Sequence, residues 1–485
     1  MKKILIFIAI LCCIPATDGL AKKKKNTTRN IADNPGIQYL DASFGTYDKL
    51  QKQIWNLHEM GFQEFKTSAL LQQHLRENGF EVEAGVADMP TAFIARYMNG
   101  GPVIGLLAEY DALPGLSQDT VSVRKPLVEG DSGHGCGHNL IGTGSAAGAV
   151  AIKKWIEATG TKASIIVFGT PAEEGGSGKA YMARAGLFDQ VNLTLEWHPG
   201  QKSYVYVDPW LDMVSIDYCF HGVSAHAAAH PDRGRSAFSA AESFCYMLAL
   251  MRPHLTPGCM IQYAIDKTGA PNVVPDFTAV HVHIRGRSTN DVRGMMEWVT
   301  QASEGAAMGT QTSVTHEIIS STKSKLHNRT LAKLLQEKME IVGLPKWDER
   351  ETQFGKEIWE TQSKARPFES IYSIVPLADE MQYGSGSSSD VGDVTWCVPD
   401  AGFEVQTFIP GTSGHSWQNV AVAGSTIGTK GLIIAAKIFL LSFVELVEKP
   451  ELIKQAREEF ESRRGPGYKY ESLIGDRRPP YDYRK

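Results

Sequence analysis

Cysteine is scarce, positive charge is not in excess, and only the N-terminus carries a long apolar run; each shortage narrows what this chain can be. Lys and Arg number 49 against 54 Asp and Glu, a formal net charge of −5. The basic stripe of a nucleic-acid binder is therefore not expected. Beyond residues 4–16 no apolar stretch reads as a membrane span, and no repeat at a solenoid period is visible. Charged residues at 21% and hydrophobic residues at 42% lie in the globular range, which excludes wholesale disorder. A chain of 485 residues is too long for one ordinary core, so two domains of unequal size are expected.

The apolar stretch at the start reads as a processing signal. Lys2 and Lys3 precede it, and Gly19 and Ala21 follow at the spacing a signal peptidase favours. A signal peptide over 1–21 would leave Lys22 first, and the basic run 22–25 argues against a buried helix. Cys12 and Cys13 could instead carry a lipid, but Leu11 and Cys12 stand where small residues are required. Export to the periplasm or the extracellular space is the expectation, with a lipoprotein the lesser alternative. Five cysteines remain: Cys136, Cys219, Cys245, Cys259 and Cys397. An odd number in an oxidising compartment leaves at least one thiol unpaired or ligated. Cys136 has the most polar neighbours; the others read as small core residues.

Apolar runs at 103–107, 164–168 and 191–195 predict buried strands, alternating with helical spacing at 47–60, 66–80 and 143–158. That alternation implies an α/β fold with a largely parallel sheet covered by helices. After Pro209 the pattern changes to strand 213–220, helix 236–251, strand 277–284 and helix 290–302, the mark of a small inserted α+β domain. Patterns of the larger domain resume from about residue 331 and include a long apolar helix at 429–447. The division is therefore 40–210 and 329–448 for the larger domain, 211–328 for the insertion, and 449–485 for a charged tail that wraps a surface or frays.

Five segments at or beside strand ends carry chemistry. Leu107-Ala-Glu-Tyr-Asp-Ala-Leu-Pro114 ends an apolar strand in two carboxylates. In Gly133-His-Gly-Cys-Gly-His-Asn139 the two-residue spacing of Cys136 and His138 puts both on one face of an extended segment. A thiolate beside an imidazole suits a borderline-soft cation such as zinc; a glycine-rich turn with an incidental histidine explains these residues equally well taken alone. Gly169-Thr-Pro-Ala-Glu-Glu-Gly175 offers adjacent carboxylates, one to bind metal and one to take a proton from water. Glu196-Trp-His-Pro199 and Gly411-Thr-Ser-Gly-His415 complete the set. A single histidine at a strand end is more often structural. Five such segments in one sheet imply a metal-assisted hydrolase.

The same residues resemble the aminoacylase/carboxypeptidase superfamily of co-catalytic metallohydrolases, in its branch of auxin-conjugate, hippurate and aminobenzoyl-glutamate amidohydrolases. His134-Gly-Cys-Gly-His-Asn139, Pro171-Ala-Glu-Glu-Gly175, Gly222-Val-Ser-Ala-His-Ala-Ala-Ala-His-Pro231 and Asn272-Val-Val-Pro-Asp276 are similar to its signature blocks. The stretch 107–115, Asp390-Val-Gly-Asp-Val-Thr-Trp396 and Gly467-Tyr-Lys-Tyr470 resemble the aminobenzoyl-glutamate utilization protein B group within it. The resemblance implies a zinc-peptidase-like catalytic domain with an inserted ferredoxin-like lid and dimerisation domain. It also implies two divalent ions per subunit, zinc by default with manganese, cobalt or nickel as alternatives. By the same resemblance Cys136, His138, Glu174, His198 and His415 are ligands, with Cys136 bridging, and Glu173 is the general base. Asp111 orients the ligands, His226 reaches a partner subunit's oxyanion in a homodimer, and Asn272 binds substrate. Two departures stand out: other branches place a metal-binding histidine where Glu109 stands, and the segment 117–131 is longer than in the simplest members. The implied substrate is a small N-acyl amino acid or a dipeptide-like amide. The rivals are a dipeptidase or carboxypeptidase on free peptides, and a non-catalytic binding protein on the same fold.

Overall fold

Strands whose side chains are apolar on both faces need cover on both sides, and that requirement organises the larger part of the molecule. In the computed structural model, which describes residues 31–207, 210–362, 366–379 and 388–483, two sheets form. The expected signal peptide, 1–21, lies outside the described residues. In chain order the strands are β1 (Glu81–Ala84), β2 (Phe93–Tyr97), β3 (Val103–Ala108), β4 (Ser164–Gly169), β5 (Leu193–Gly200), β6 (Tyr204–Val205), β7 (Asp212–His221), β8 (Met260–Asp266), β9 (Phe277–Gly286), β10 (Ser313–Thr322) and β11 (Asp400–Gln406). The larger sheet runs β1-β2-β4-β3-β5-β11-β6. Its centre, β4-β3-β5-β11, is parallel, and β1, β2 and β6 add antiparallel margins. β7 to β10 form a separate antiparallel sheet in the order β10-β7-β9-β8.

One face of the larger sheet is covered by the helices His138–Thr159 and Thr426–Glu448. Small residues in the first let it lie close: a Cβ at Gly144 would come within 2.8 Å of the Trp197 ring, and one at Gly148 within 3.2 Å of Phe439. The second sheet buries one face only, against the helices Ala237–Met251 and Thr289–Thr310. No helix among the described residues is long and apolar enough to cross a membrane.

Three expectations need correction. β5 extends to Gly200 instead of stopping near 195, because β11 pairs with it along that whole length. The helix expected from 143 starts at His138, after a left-handed turn. The charged tail opens with a helix, Pro450–Arg464, which buries only Ala456 and Phe460 and so leaves little apolar periodicity to read. Beyond it the described residues do more than cover a surface. Leu473 enters the core of the second sheet's domain, Ile474 packs among residues of the larger one, and Tyr481 and Tyr483 meet Phe62 edge to face.

Candidate metal centre

The parallel strands deliver their loops to one edge, where α/β sheets bind ligands. Asp111 follows β3, Glu173 and Glu174 follow β4, His198 lies near the end of β5, and His415 lies beyond β11. Asp111 is buried and joins two of these segments. Its Oδ1 is 2.9 Å from His138 Nδ1, and its Oδ2 accepts the Glu174 N–H at 3.0 Å. With Nδ1–H donated to Asp111, His138 turns Nε2 toward Glu109, Glu173 and Glu174, buried and without a hydrogen bond.

The segment 136–138 is not extended as expected. Gly137 adopts φ +85°, and a Cβ there would meet Pro199 at 2.7 Å and Phe408 at 2.9 Å. The turn still brings Cys136 and His138 together. Donor atoms of Cys136, His138 and His198 lie within 4.8 Å of one another, and so do those of Cys136, Glu174 and His415. Cys136 belongs to both sets. Its Sγ is 3.2 Å from His198 Nε2, while His198 Nδ1 sits 2.7 Å from the Pro199 carbonyl oxygen, which fixes that ring's orientation. His415 Nε2 is 3.6 Å from Glu174 Oε2. Glu173 stands outside these two sets but belongs to a third, with Glu109 and His138, its Oε2 at 3.9 Å from His138 Nε2.

Two non-glycine residues here hold left-handed backbone, Ala172 at φ 58° and His415 at φ 56°. Such strain concentrates where a loop must present a side chain at a fixed place. The electrostatics are equally uneven. Burial, with Glu109 and Glu174 close by, pushes Glu173 up to about 8. Burial and the His138 charge bring His198 down to about 4, so it offers a neutral imidazole. Burial and Glu174 raise the Cys136 thiol, whose thiolate therefore needs a cation beside it. Thiolate, neutral imidazole and carboxylate in two sets that share one sulfur, with a buried imidazole nitrogen that makes no hydrogen bond, fit two divalent cations.

The cavity over these donors is about 630 Å³ and reaches the second sheet. His226 and Asn272 do not line it. They sit together on an exposed loop pair of the second domain, where Ala227 N–H donates to the Asn272 carbonyl oxygen at 3.1 Å. His226 Nδ1 accepts from the N–H groups of Ala228 and Ala229 at 3.3 and 3.2 Å.

Several lining residues were not anticipated. From the second sheet come Gln262 and Arg285, whose guanidinium donates to Ser388 Oγ at 2.6 Å. Tyr204, Tyr206 and Trp210 form an aromatic wall, with centroids 5.4 and 5.9 Å apart along the series. Behind them Lys325 pairs with Glu196, and Lys179 pairs with Glu109. Alternation along β9 placed Arg285 on an open face and could have signalled it. A lysine opening the otherwise apolar stretch Ala180–Ala183 was the hint for Lys179.

A parallel sheet with metal-type donors at its carboxyl edge, roofed by a second sheet, defines a two-domain metallohydrolase. The pattern described as Peptidase family M20/M25/M40 matches residues 105–377, and the chain belongs to that family. It is a metal-dependent enzyme that acts on amide bonds. The B component of the p-aminobenzoyl-glutamate hydrolase of Escherichia coli (strain K12) is 35% identical over 87% of this chain and 93% of its own length. The Xaa-Arg dipeptidase of Mus musculus is 26% identical over 87% and 91%. Among solved structures, the aminobenzoyl-glutamate utilization protein of Klebsiella pneumoniae shares the fold with a TM-score of 0.58 at 18% identity, covering 81% of this chain and 97% of that one. A dinuclear metal-binding peptidase of the M20 family from Bacillus subtilis gives 0.55 at 17%, covering 84% and 99%.

Proposed function

We propose that this chain hydrolyses the amide bond of a small N-acyl amino acid, an aminobenzoyl-glutamate-like conjugate or a dipeptide-like molecule, with Glu173 as general base. The observation that carries the reading is the position of Glu173: it lies beside the two donor sets that share Cys136 without belonging to either, and it has a raised affinity for a proton. Two divalent ions, zinc by donor type with manganese, cobalt or nickel as alternatives, would supply Lewis acidity at the carbonyl and make hydroxide available near neutral pH. Cys136, His138, Glu174, His198 and His415 would hold them. Glu173 takes a proton from water and returns it to the leaving nitrogen. Asp111 keeps His138 in the tautomer that leaves Nε2 facing the carboxylates of Glu109, Glu173 and Glu174.

The rest of the cavity supports an acyl amino acid. Arg285 offers a guanidinium for the substrate carboxylate. Tyr204, Tyr206 and Trp210 offer ring faces and edges to a planar acyl group. His226, with Nδ1 accepting from two backbone N–H groups, carries its ring proton on Nε2, a donor nitrogen. This suits a homodimer in which it meets the oxyanion in the partner subunit's site, with Asn272 beside it binding substrate. Residues 1–21 are read as an export signal, giving a periplasmic or extracellular enzyme.

The test is a substrate panel on protein of measured metal content, setting aminobenzoyl-glutamate and other N-acyl amino acids against free dipeptides. Preference for the acyl amino acids upholds the reading; preference for dipeptides replaces it with the peptidase. Mixing inactive His226→Ala and Glu173→Gln proteins should restore turnover if the dimer is built this way. An N-terminus at Lys22 in exported protein would verify the processing.

A further inference from the structure

The charges behind the centre are arranged as a chain with an open end. Lys179, in the helix Gly178–Arg184, is fully buried. Its Nζ lies 2.6 Å from Asp390 Oδ1 and 2.7 Å from Glu109 Oε1. Asp390 is used up by this lysine, because its Oδ2 also accepts the Lys179 backbone N–H at 2.9 Å. Glu109 is not used up. Its Oε2 lies 3.3 Å from His138 Nε2. One lysine between two carboxylates leaves the trio with a net negative charge, and that charge faces the metal-type donors.

Glu109 Oε2 and His138 Nε2 lie 3.3 Å apart with no hydrogen bond made by Nε2, while Nδ1–H is given to Asp111. Either a proton on Nε2 or a cation beside both atoms offsets the Glu109 charge, and a cation that displaces the proton is held by both. Glu109 and His138 belong with Glu173 to a group of donor atoms within 4.8 Å of one another, so a cation can be held between Glu109 and His138 with Glu173 beside it. The lysine is also placed firmly. A Cβ at Gly178, the preceding residue, would come within 2.0 Å of the Pro171 carbonyl oxygen, so the helix start is wedged against the loop that carries Glu173 and Glu174.

We propose that Glu109 is a further ligand of the metal centre on its His138 side, and that Lys179, anchored by Asp390, is the positioning residue that turns it there. Lys179 holds one carboxylate oxygen and leaves the other for the cation. A bound ion in turn neutralises the negative charge that the trio carries. The proposal rests on reading the centre as a metal site and not on the reaction assigned to it.

The experiment is metal titration of the full chain after chelation, with Co²⁺ followed by calorimetry and absorption, and ion content measured after gel filtration. Wild type should load two ions. Glu109→Gln should weaken one of them at least tenfold and alter the cobalt d–d bands while the Cys136 thiolate-to-cobalt charge-transfer band persists. Lys179→Met should weaken the same ion by roughly ten- to a hundredfold, the usual cost of losing a group that orients a ligand. If Lys179→Met does not fold, Glu109→Asp keeps the charge but retracts the oxygen by one methylene, and it should lose affinity for that ion as well. Wild-type affinities and an unchanged cobalt spectrum in the Glu109 variants would overturn the proposal. Two ions loaded by wild type without amide turnover would sink the hydrolytic reading alone and, with those losses, still uphold this one; a wild type that loads no ion sinks both.

Discussion

The larger sheet and the smaller one answer opposite demands. Residues of β3 and β4 are buried on both faces, so the loops leaving them start from a rigid base. The smaller sheet buries one face against two helices and turns Gln262 and Arg285 toward the cavity, and Ser215 and His283 toward a pocket adjoining it. Donors that must sit within a few ångströms of one another come from the rigid floor; side chains that must adapt to a substrate come from the polar roof. The C-terminal segment is a strap that ties the two, with Leu473 in the roof's core and Ile474 in the floor's. Chemistry and recognition are thus built on separate sheets and can be broken separately.

The sharpest break is on the floor. Glu173→Gln should cost roughly a hundred- to ten-thousandfold in kcat, the range for losing a general base, with metal content and Tm as in wild type. Turnover near the wild-type rate would remove Glu173 from the mechanism. The largest break on the roof is structural. Leu473→Ala, at a side chain 6% exposed, should destabilise the roof's core by about 2–5 kcal/mol. Denaturant melts should then show an early transition in the roof, with the floor's ion binding intact. A single unshifted transition would mean that the strap adds nothing to the roof.

Legibility in the sequence followed the same division. β3, β4 and β5 were visible as continuous apolar runs because both of their faces are covered. β8, whose side chains are mostly exposed, and β10, exposed over its first half, were not visible, since one-sided burial leaves little apolar signal. Glu173, Glu174, His198 and His415 were legible because they cluster with glycine and proline at strand ends. Lys179 and Lys325 were legible only as isolated charges, and Asp390 only as the first residue of a matching block with no role attached, because their partners are 70 to more than 200 residues away and only the fold brings them together. Cys136 and His138 were read correctly as neighbours for a geometric reason that differs from the real one: a glycine turn at a helix start does the work assigned to an extended segment.

A smaller effect tests how the floor holds its donors. Asp111→Asn keeps the shape but replaces an acceptor-only carboxylate by an amide, which can accept at one atom only. One of the two bonds at 2.9 and 3.0 Å, to His138 Nδ1 or to the Glu174 N–H, then fails. Metal affinity should fall by roughly ten- to a hundredfold, measured by titration with a chelator of known strength. An unchanged affinity would show that the donors are held by backbone alone.

The smallest effect belongs to the polar part of the strap. Arg477 donates to Glu317 of β10 at 2.5 Å, a contact as short as any between strap and roof. Its length is a poor guide to its worth. The Glu317 side chain is 63% exposed, so water and salt screen the pair, and exposed pairs of this kind contribute at most about 1 kcal/mol. Glu317→Gln should therefore shift the roof's melting transition far less than Leu473→Ala, and the remaining difference from wild type should vanish at high salt. A loss rivalling that of Leu473→Ala, persisting at high salt, would mean that charge and not apolar burial couples the two sheets.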